Sequence, residues 1–326
     1  MRDLVVWRLL RKAIESGESA VLMVVVESIG SSPGRVGFKM AVTPDGQMAG
    51  SIGGGIMEHK LVEMALDRLR SGLPLWEVKR QIHSKEAPTD QSGMICSGEQ
   101  TVAMLRLEPG HSNSVHDAIA FLESGKPFCL SLSESRLGIH THDGASGQQR
   151  FEAMSQDSWI YEEVAGQPSI AHVVGAGHVG LELCKVLSGL DFLVINYDDR
   201  PGLNTLEAND FAHRKIVIDY NTIGESIPSG PDQYIVLVTF GYRTDEIALR
   251  TLIGREFTYL GMMGSEAKVA KMMASLRAEG VDEAWLRSIK SPAGLIPHCK
   301  TPAEIAISIA AEMIAVRNRK IANMPP

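Results

Sequence analysis

The amino-acid sequence predicts an α/β protein in two parts, a mixed α+β domain followed by a parallel-sheet domain. Three observations carry that prediction. Ala171-His172-Val173-Val174 runs straight into Gly175-Ala176-Gly177-His178-Val179-Gly180, a G-x-G-x-x-G between an apolar strand and an apolar-faced helix. An acid, Asp198, ends the next apolar stretch about 20 residues further on. Beyond Ser169, apolar strands alternate with helices, the rhythm of a parallel sheet covered on both faces. The first half lacks that rhythm. The domains expected are a mixed α+β domain over residues 1–166 and a Rossmann-like domain over residues 167–326.

Each element has a local reason. Residues 4–15 place Val6, Leu9, Leu10, Ala13 and Ile14 on one side of a helix that Gly17 ends. Residues 20–28 form an apolar strand. Residues 38–43 and 47–52 read as a hairpin around Pro44-Asp45-Gly46, a strong turn signal. Gly53-Gly54-Gly55 then leads into a helix over residues 56–69. Further strands are expected at 100–107, 128–132, 137–140 and 159–164, with a helix at 115–123 and a linker near 166–169. In the second half, strands are expected at 170–174, 192–197, 215–218, 234–239 and 257–260. The last helix has an explicit start, with Thr301 as N-cap, Pro302 at N1 and Glu304 at N3. Its apolar face runs through Ile305, Ile309, Met313 and Val316.

Composition narrows the function classes. At 326 residues the chain can bury two cores, and 44% apolar with 22% charged residues is ordinary for a globular protein. A formal charge of −7 leaves no basic footprint for nucleic acid. The longest apolar run, residues 20–26, is too short to span a bilayer. Met1-Arg2-Asp3-Leu4 meets an acid at once and is not expected to open a signal peptide, so a cytoplasmic location is expected. Four cysteines without a C-x-x-C suggest neither a disulfide framework nor a zinc site, and no metal ligands are assigned. Cys129 and Cys184 fall in strand and helix patterns and are expected in the core. Cys96, in Gly93-Met94-Ile95-Cys96-Ser97-Gly98-Glu99, and Cys299, in Pro297-His298-Cys299-Lys300, lie in looser segments. Cys96 is the candidate reactive thiol.

Three glycine loops are candidate ligand sites. Gly175, Gly177 and Gly180 allow a close backbone approach to a pyrophosphate at a helix N-terminus, and Asp198 stands where a ribose-binding carboxylate belongs. The same glycines also suit strand–helix packing alone, and His178 is either a solvated first-turn residue or a catalyst. Tyr259-Leu260-Gly261-Met262-Met263-Gly264-Ser265 repeats the strand–glycine–helix pattern, as an anion site or a tight turn. In the first half, Arg35 and Lys39 accompany Gly34 and Gly37, and Gly53, Gly54 and Gly55 lead into a helix, a set suited to a phosphorylated ligand or to a glycine-rich hairpin with solvated charges.

Together these segments resemble the xanthine dehydrogenase accessory factor family (XdhC/CoxI), the molybdenum hydroxylase maturation proteins. The first half carries the resemblance in Gly30-Ser31-Ser32-Pro33, Lys39-Met40, Gly50-Ser51-Ile52-Gly53-Gly54-Gly55 with Glu58, and the Cys96 loop. The second half carries it in Gly175 to Gly180, Asp198 with Arg200-Pro201, and Gly261 to Ser265 with Lys268. It continues in Ser291-Pro292-Ala293-Gly294-Leu295 and Thr301-Pro302-Ala303-Glu304-Ile305-Ala306. The resemblance implies a protein that binds the molybdenum cofactor, of molybdopterin type, while a cysteine desulfurase supplies sulfur. It then hands the cofactor to a molybdenum hydroxylase apo-enzyme. It implies an accessory protein, expected as a homodimer, rather than the hydroxylase, whose iron–sulfur clusters need more cysteines. The chain departs from the family pattern at Ile56, at Cys96-Ser97-Gly98, and at Thr239-Phe240-Gly241-Tyr242-Arg243-Thr244-Asp245, where relatives often carry cysteine, Cys-Gly-Gly and a His-Asp-His cluster. The alternative is an NAD(P)-dependent oxidoreductase, for which His178 is the only obvious loop candidate.

Overall fold

The strand β1 (Ala20–Gly30) is apolar on both sides, and the first unit is built around it. The computed structural model describes residues 2–82, 98–142, 149–155, 158–166 and 168–322. The chain divides into two compact units, Met1–Gln167 and Pro168–Pro326.

In the first unit, β1 follows α1 (Arg2–Glu15) and precedes β2 (Lys39–Val42), β3 (Met48–Gly50), α2 (Gly55–Ser71), β4 (Trp76–Ile82) and β5 (Gly98–Leu107). These strands form an antiparallel sheet in the order β3-β2-β1-β5-β4. The period-2 alternation of a strand explains the double burial. Ala20, Leu22, Val24 and Val26 face α1, whereas Val21, Met23 and Val25 face Met57, Leu61 and Ala65 of α2. Next come α3 (Ser112–Ser124), β6 (Phe128–Ser133), β7 (Leu137–Thr141), β8 (Arg150–Ser155) and β9 (Ser158–Ala165). A second antiparallel sheet orders them β7-β6-β9-β8. Phe128, Leu130 and Leu132 enter the α1 core, so Cys129 between them points the other way. The expectation of a core Cys129 is corrected: it is half-buried, with Sγ 3.7 Å from His142 Nδ1. Strands β4 and β8 were not expected. Their sequences mix charged and apolar residues, and it is the ladders to β5 and β9 that keep them extended.

The second unit alternates β10 (Ser169–Val174), α4 (His178–Ser188), β11 (Phe192–Asp198), α5 (Asn204–Glu207), β12 (Arg214–Val217), α6 (Ile223–Ser226), β13 (Gly230–Leu237), α7 (Tyr242–Arg250), β14 (Phe257–Met262), α8 (Glu266–Ala278), α9 (Glu283–Ser288) and α10 (Pro302–Ala322). All its strands are parallel, ordered β12-β11-β10-β13-β14. One face packs on α4 and α10 through Leu183, Leu187, Ile309 and Met313. The other packs on α7, α8 and α9 through Ala248, Leu249, Met272 and Leu286. Strand order reverses between β10 and β13, and an open sheet of this kind offers its crevice at the carboxyl ends beside that reversal. The cap of α10 is as expected: Glu304 N donates to Thr301 Oγ1 at 3.2 Å, and Thr301 N to Glu304 Oε2 at 3.1 Å.

Candidate functional site

The second unit gathers Gly175, Gly177, His178, Gly180, Asp198, Gly261, Gly264 and Ser265 at the carboxyl ends of β10, β11 and β14 and the turns that follow. The three motif glycines have different reasons to be there. Gly175 sits at φ +112°, and a Cβ on it would lie 2.3 Å from Val238 O. A Cβ on Gly180 would lie 2.0 Å from Gly175 O. Packing alone demands both. Gly177, the N-cap of α4, sits at φ −67°, and a Cβ there would meet nothing within 4 Å. It is the motif position left open to a ligand. His178 stands exposed in the first turn of α4.

Asp198 turns inward. It is fully buried, and its Oδ2 accepts from Ala176 N at 2.7 Å and from Arg200 Nη2 at 2.9 Å. Its Oδ1 accepts from Arg200 Nε at 2.7 Å and Arg200 N at 3.1 Å. Burial pushes this carboxyl up, but the Arg200 guanidinium and the Ala176 and Arg200 N–H groups outweigh it and hold the acid below the usual carboxylate range. Asp198 thus braces the glycine loop and ties it to Arg200, and it offers no oxygen to a ribose. Arg200 in turn lies over the ring of Phe240, 4.9 Å from its centroid.

Phe240 forms part of the wall of a cavity of about 210 Å³ between the ends of β13 and β14. Thr239, Tyr242 and Asp245 line one side, and Met262, Met263, Gly264, Ser265, Lys268 and Met272 the other. Asp245 lies in the segment noted as a departure from the family pattern and was not among the candidate site residues. Only 5% exposed, it accepts at Oδ1 from Thr239 N (3.0 Å) and Thr239 Oγ1 (2.8 Å). Its Oδ2 makes no hydrogen bond among the described residues. Burial raises its pKa to about 6 against the opposing Thr239 bonds. The available signal was its place just past the fourth strand of the sheet, at the crevice. Gly261 has a packing reason, since a Cβ would lie 2.5 Å from the Tyr259 ring. Ser265, the N-cap of α8, makes no side-chain cap bond and is exposed, as is Lys268. Met262 and Met272 belong both to the core and to the cavity wall.

In the first unit, Gly53, Gly54 and Gly55 all have positive φ, and the loop they help form already holds an anion. Glu58 Oε2 accepts from Ile52 N (2.9 Å), Gly54 N (3.0 Å) and Ser51 Oγ (2.7 Å). The structure does not bring Lys39 to this loop as a phosphate cation. Lys39 is buried, and its Nζ donates to Asp3 Oδ2 at 2.8 Å and Gly37 O at 2.9 Å and forms an ion pair with Glu163 at 2.6 Å. Arg35 is exposed. Cys96 lies outside the described residues. Cys299 is half-buried, with Sγ donating to Ile296 O at 3.4 Å. Cys184 is buried, which pushes its thiol up to about 12. Among the described residues no group of three or more His, Cys, Asp or Glu is placed to hold a metal ion, and no helix is long and apolar enough to cross a membrane.

Comparison with known proteins agrees with this architecture. Residues 13–78 match the XdhC and CoxI family, and residues 172–313 match the XdhC Rossmann domain. The chain is 26% identical over 301 residues to YqeB of Escherichia coli K12, covering 90% of this chain but 43% of YqeB, so it spans less than half of that relative. It is 23% identical over 328 residues to a protein of Bacillus subtilis 168 named as a probable xanthine dehydrogenase subunit, covering 94% of this chain and 96% of that one. It is 21% identical over 309 residues to the molybdenum cofactor insertion chaperone PaoD of E. coli K12, covering 94% and 86%. A crystal structure of a protein named xanthine dehydrogenase from Bacillus halodurans shares the fold, with a TM-score of 0.75 at 22% identity over 100% of this chain and 98% of the other.

Proposed function

Because the chain belongs to the XdhC and CoxI family, we propose that it holds the molybdenum cofactor and delivers it to the apo-form of a molybdenum hydroxylase. The carboxyl-edge crevice of the second unit is the observation that carries this reading. It combines an open glycine position at Gly177, the N-terminus of α4 and a methionine-walled cavity with one unpartnered carboxylate oxygen. These features fit a phosphorylated pterin. Gly177 and the first turn of α4, with His178 at its edge, would take a phosphate or pyrophosphate. The cavity beside Gly264, Ser265 and Lys268 would take the ring. When bound, the cofactor supplies the molybdenum and its sulfur ligands, and this chain's own residues bind and orient it. In this reading a cysteine desulfurase supplies sulfur to the held cofactor, and the protein acts as a cytoplasmic homodimer, an accessory protein rather than a catalyst. Arg35 and the loop of Gly53, Gly54 and Gly55, in the first unit, would take a ligand of their own only from their exposed side. Cys96 is the thiol assigned to sulfur handling.

The test is retention of authentic molybdenum cofactor by the purified full chain under anaerobic conditions, against serum albumin. Retention of about one cofactor per binding site supports the proposal, and retention no higher than albumin overturns it. The open Gly177 also favours a second reading, an NAD(P)-dependent oxidoreductase. The inward Asp198 speaks against it, because the carboxylate at the motif's ribose position is already taken by Ala176 N and Arg200. Saturable NADH binding with turnover of a small carbonyl compound would establish that alternative instead.

A further inference from the structure

Resting on the cofactor-holding reading, we propose that Asp245 selects the ligand's ring by accepting the N–H edge of a 2-amino-pyrimidin-4-one, the edge shared by pterin and guanine. Asp245 is 5% exposed, and Thr239 N and Thr239 Oγ1 both bond Oδ1. Oδ2 has no donor among the described residues, and the side chain lines the cavity. Oδ2 is therefore open to the cavity while its neighbour Oδ1 is held by Thr239, and it is placed to accept N–H groups that a ligand brings. The 2-amino group and the ring N–H beside it present two donors on one side of a flat ring.

The rest of the cavity suits the ring's faces. Met262, Met263 and Met272 offer polarisable thioethers, and Phe240 an aromatic wall. A cavity of about 210 Å³ accommodates a bicyclic ring and leaves a phosphorylated tail outside. On the rim, Lys268 and the N-terminus of α8 provide positive potential where a charged substituent leaves the ring, and the phosphate itself lies toward Gly177 and α4. The Thr239 bonds hold Oδ1 in place, so the carboxylate is aimed before a ligand arrives.

The experiment is equilibrium binding by the full-length protein at pH 7.5. Its fluorescent probes are pterin-6-carboxylate and lumazine-6-carboxylate, in which a 2-oxo group replaces the 2-amino group. Guanosine and inosine, which lacks the 2-amino group, form a second pair. The wild type should prefer the 2-amino probe of at least one pair by tenfold or more. A preference seen with the first pair assigns the ring to the pterin, and one seen with the second pair alone assigns it to a guanine base. Asp245→Asn keeps an oxygen for Thr239 but turns a donor toward the ring. That variant should lose at least tenfold for the 2-amino probe and gain for the 2-oxo probe. Lys268→Ala should weaken pterin-6-carboxylate and lumazine-6-carboxylate alike. An inverted preference cannot come from partial unfolding, and if Asp245→Asn fails to fold, the wild-type preference alone decides. Equal wild-type affinities, or an unchanged preference in Asp245→Asn, overturn the assignment. Cofactor retention is measured on the same preparation. Retention with an unchanged preference removes Asp245 alone, whereas no retention removes the cofactor-holding reading and the assignment with it.

Discussion

Asp198 Oδ2 accepts a 2.7 Å hydrogen bond from the backbone N–H of Ala176, so the acid at the end of β11 is bound to the glycine loop it was expected to complement. Arg200 takes the remaining capacity of the same carboxylate. Asp198→Ala leaves a buried N–H and a guanidinium without their acceptor, and should lower stability by about 3 kcal/mol in urea unfolding. The folded-state pKa of Asp198 is depressed. Its stabilising contribution is therefore complete above about pH 4 and is lost as pH falls through the depressed value. The difference between wild type and Asp198→Ala should shrink over that acidic window.

The glycines of the motif should separate by variant. Gly175→Ala and Gly180→Ala place a methyl 2.3 Å from Val238 O and 2.0 Å from Gly175 O, and both should unfold at much lower denaturant. Gly177→Ala meets open space and should cost about 1 kcal/mol or less, the loss of a favourable N-cap residue. Its effect should appear instead in cofactor retention. A large loss of stability in Gly177→Ala would mean that the loop is not open at that position.

Lys39 should behave as a structural cation. Its side chain is 2% exposed between Asp3 and Glu163, and Glu163 is itself 8% exposed. Lys39→Met strands a buried carboxylate and should cost about 3–5 kcal/mol by denaturant unfolding. Lys39→Met with Glu163→Gln should recover much of the loss. A direct phosphate-binding role predicts the reverse, an unchanged midpoint with weaker ligand binding.

Asp245 gives a pH signature of opposite sign to Asp198. Its folded pKa is raised to about 6, above an unfolded value of about 3.9. Folding therefore takes up a proton between these values, and this residue's contribution to stability grows as pH falls from 7 toward 4. Asp245→Asn removes the cost of burying the charge and should be more stable than wild type by on the order of 2 to 3 kcal/mol at pH 8. That advantage should disappear near pH 4. Unfolding midpoints at pH 4, 6 and 8 for both proteins check the trend.

The sequence by itself determined what depends on neighbours along the chain. The strand–glycine–helix turn at Gly175 to Gly180, the alternating second half, and the Thr301–Glu304 cap of α10 are short-range patterns, and each is legible because its partners are close in sequence. Cys129 was misplaced in the core at that level, because a strand pattern alone does not say which parity of β6 is buried, and the packing of Phe128, Leu130 and Leu132 decides it. Tertiary structure decided where the charges go. Lys39 meets Glu163, Asp198 meets Ala176, and Asp245 meets a cavity closed by Met262 and Met272. A charged side chain in a glycine-rich segment looks the same in sequence whether it awaits a ligand or is already paired. Burial and the position of a distant partner separate the two, and both exist only once the chain has folded.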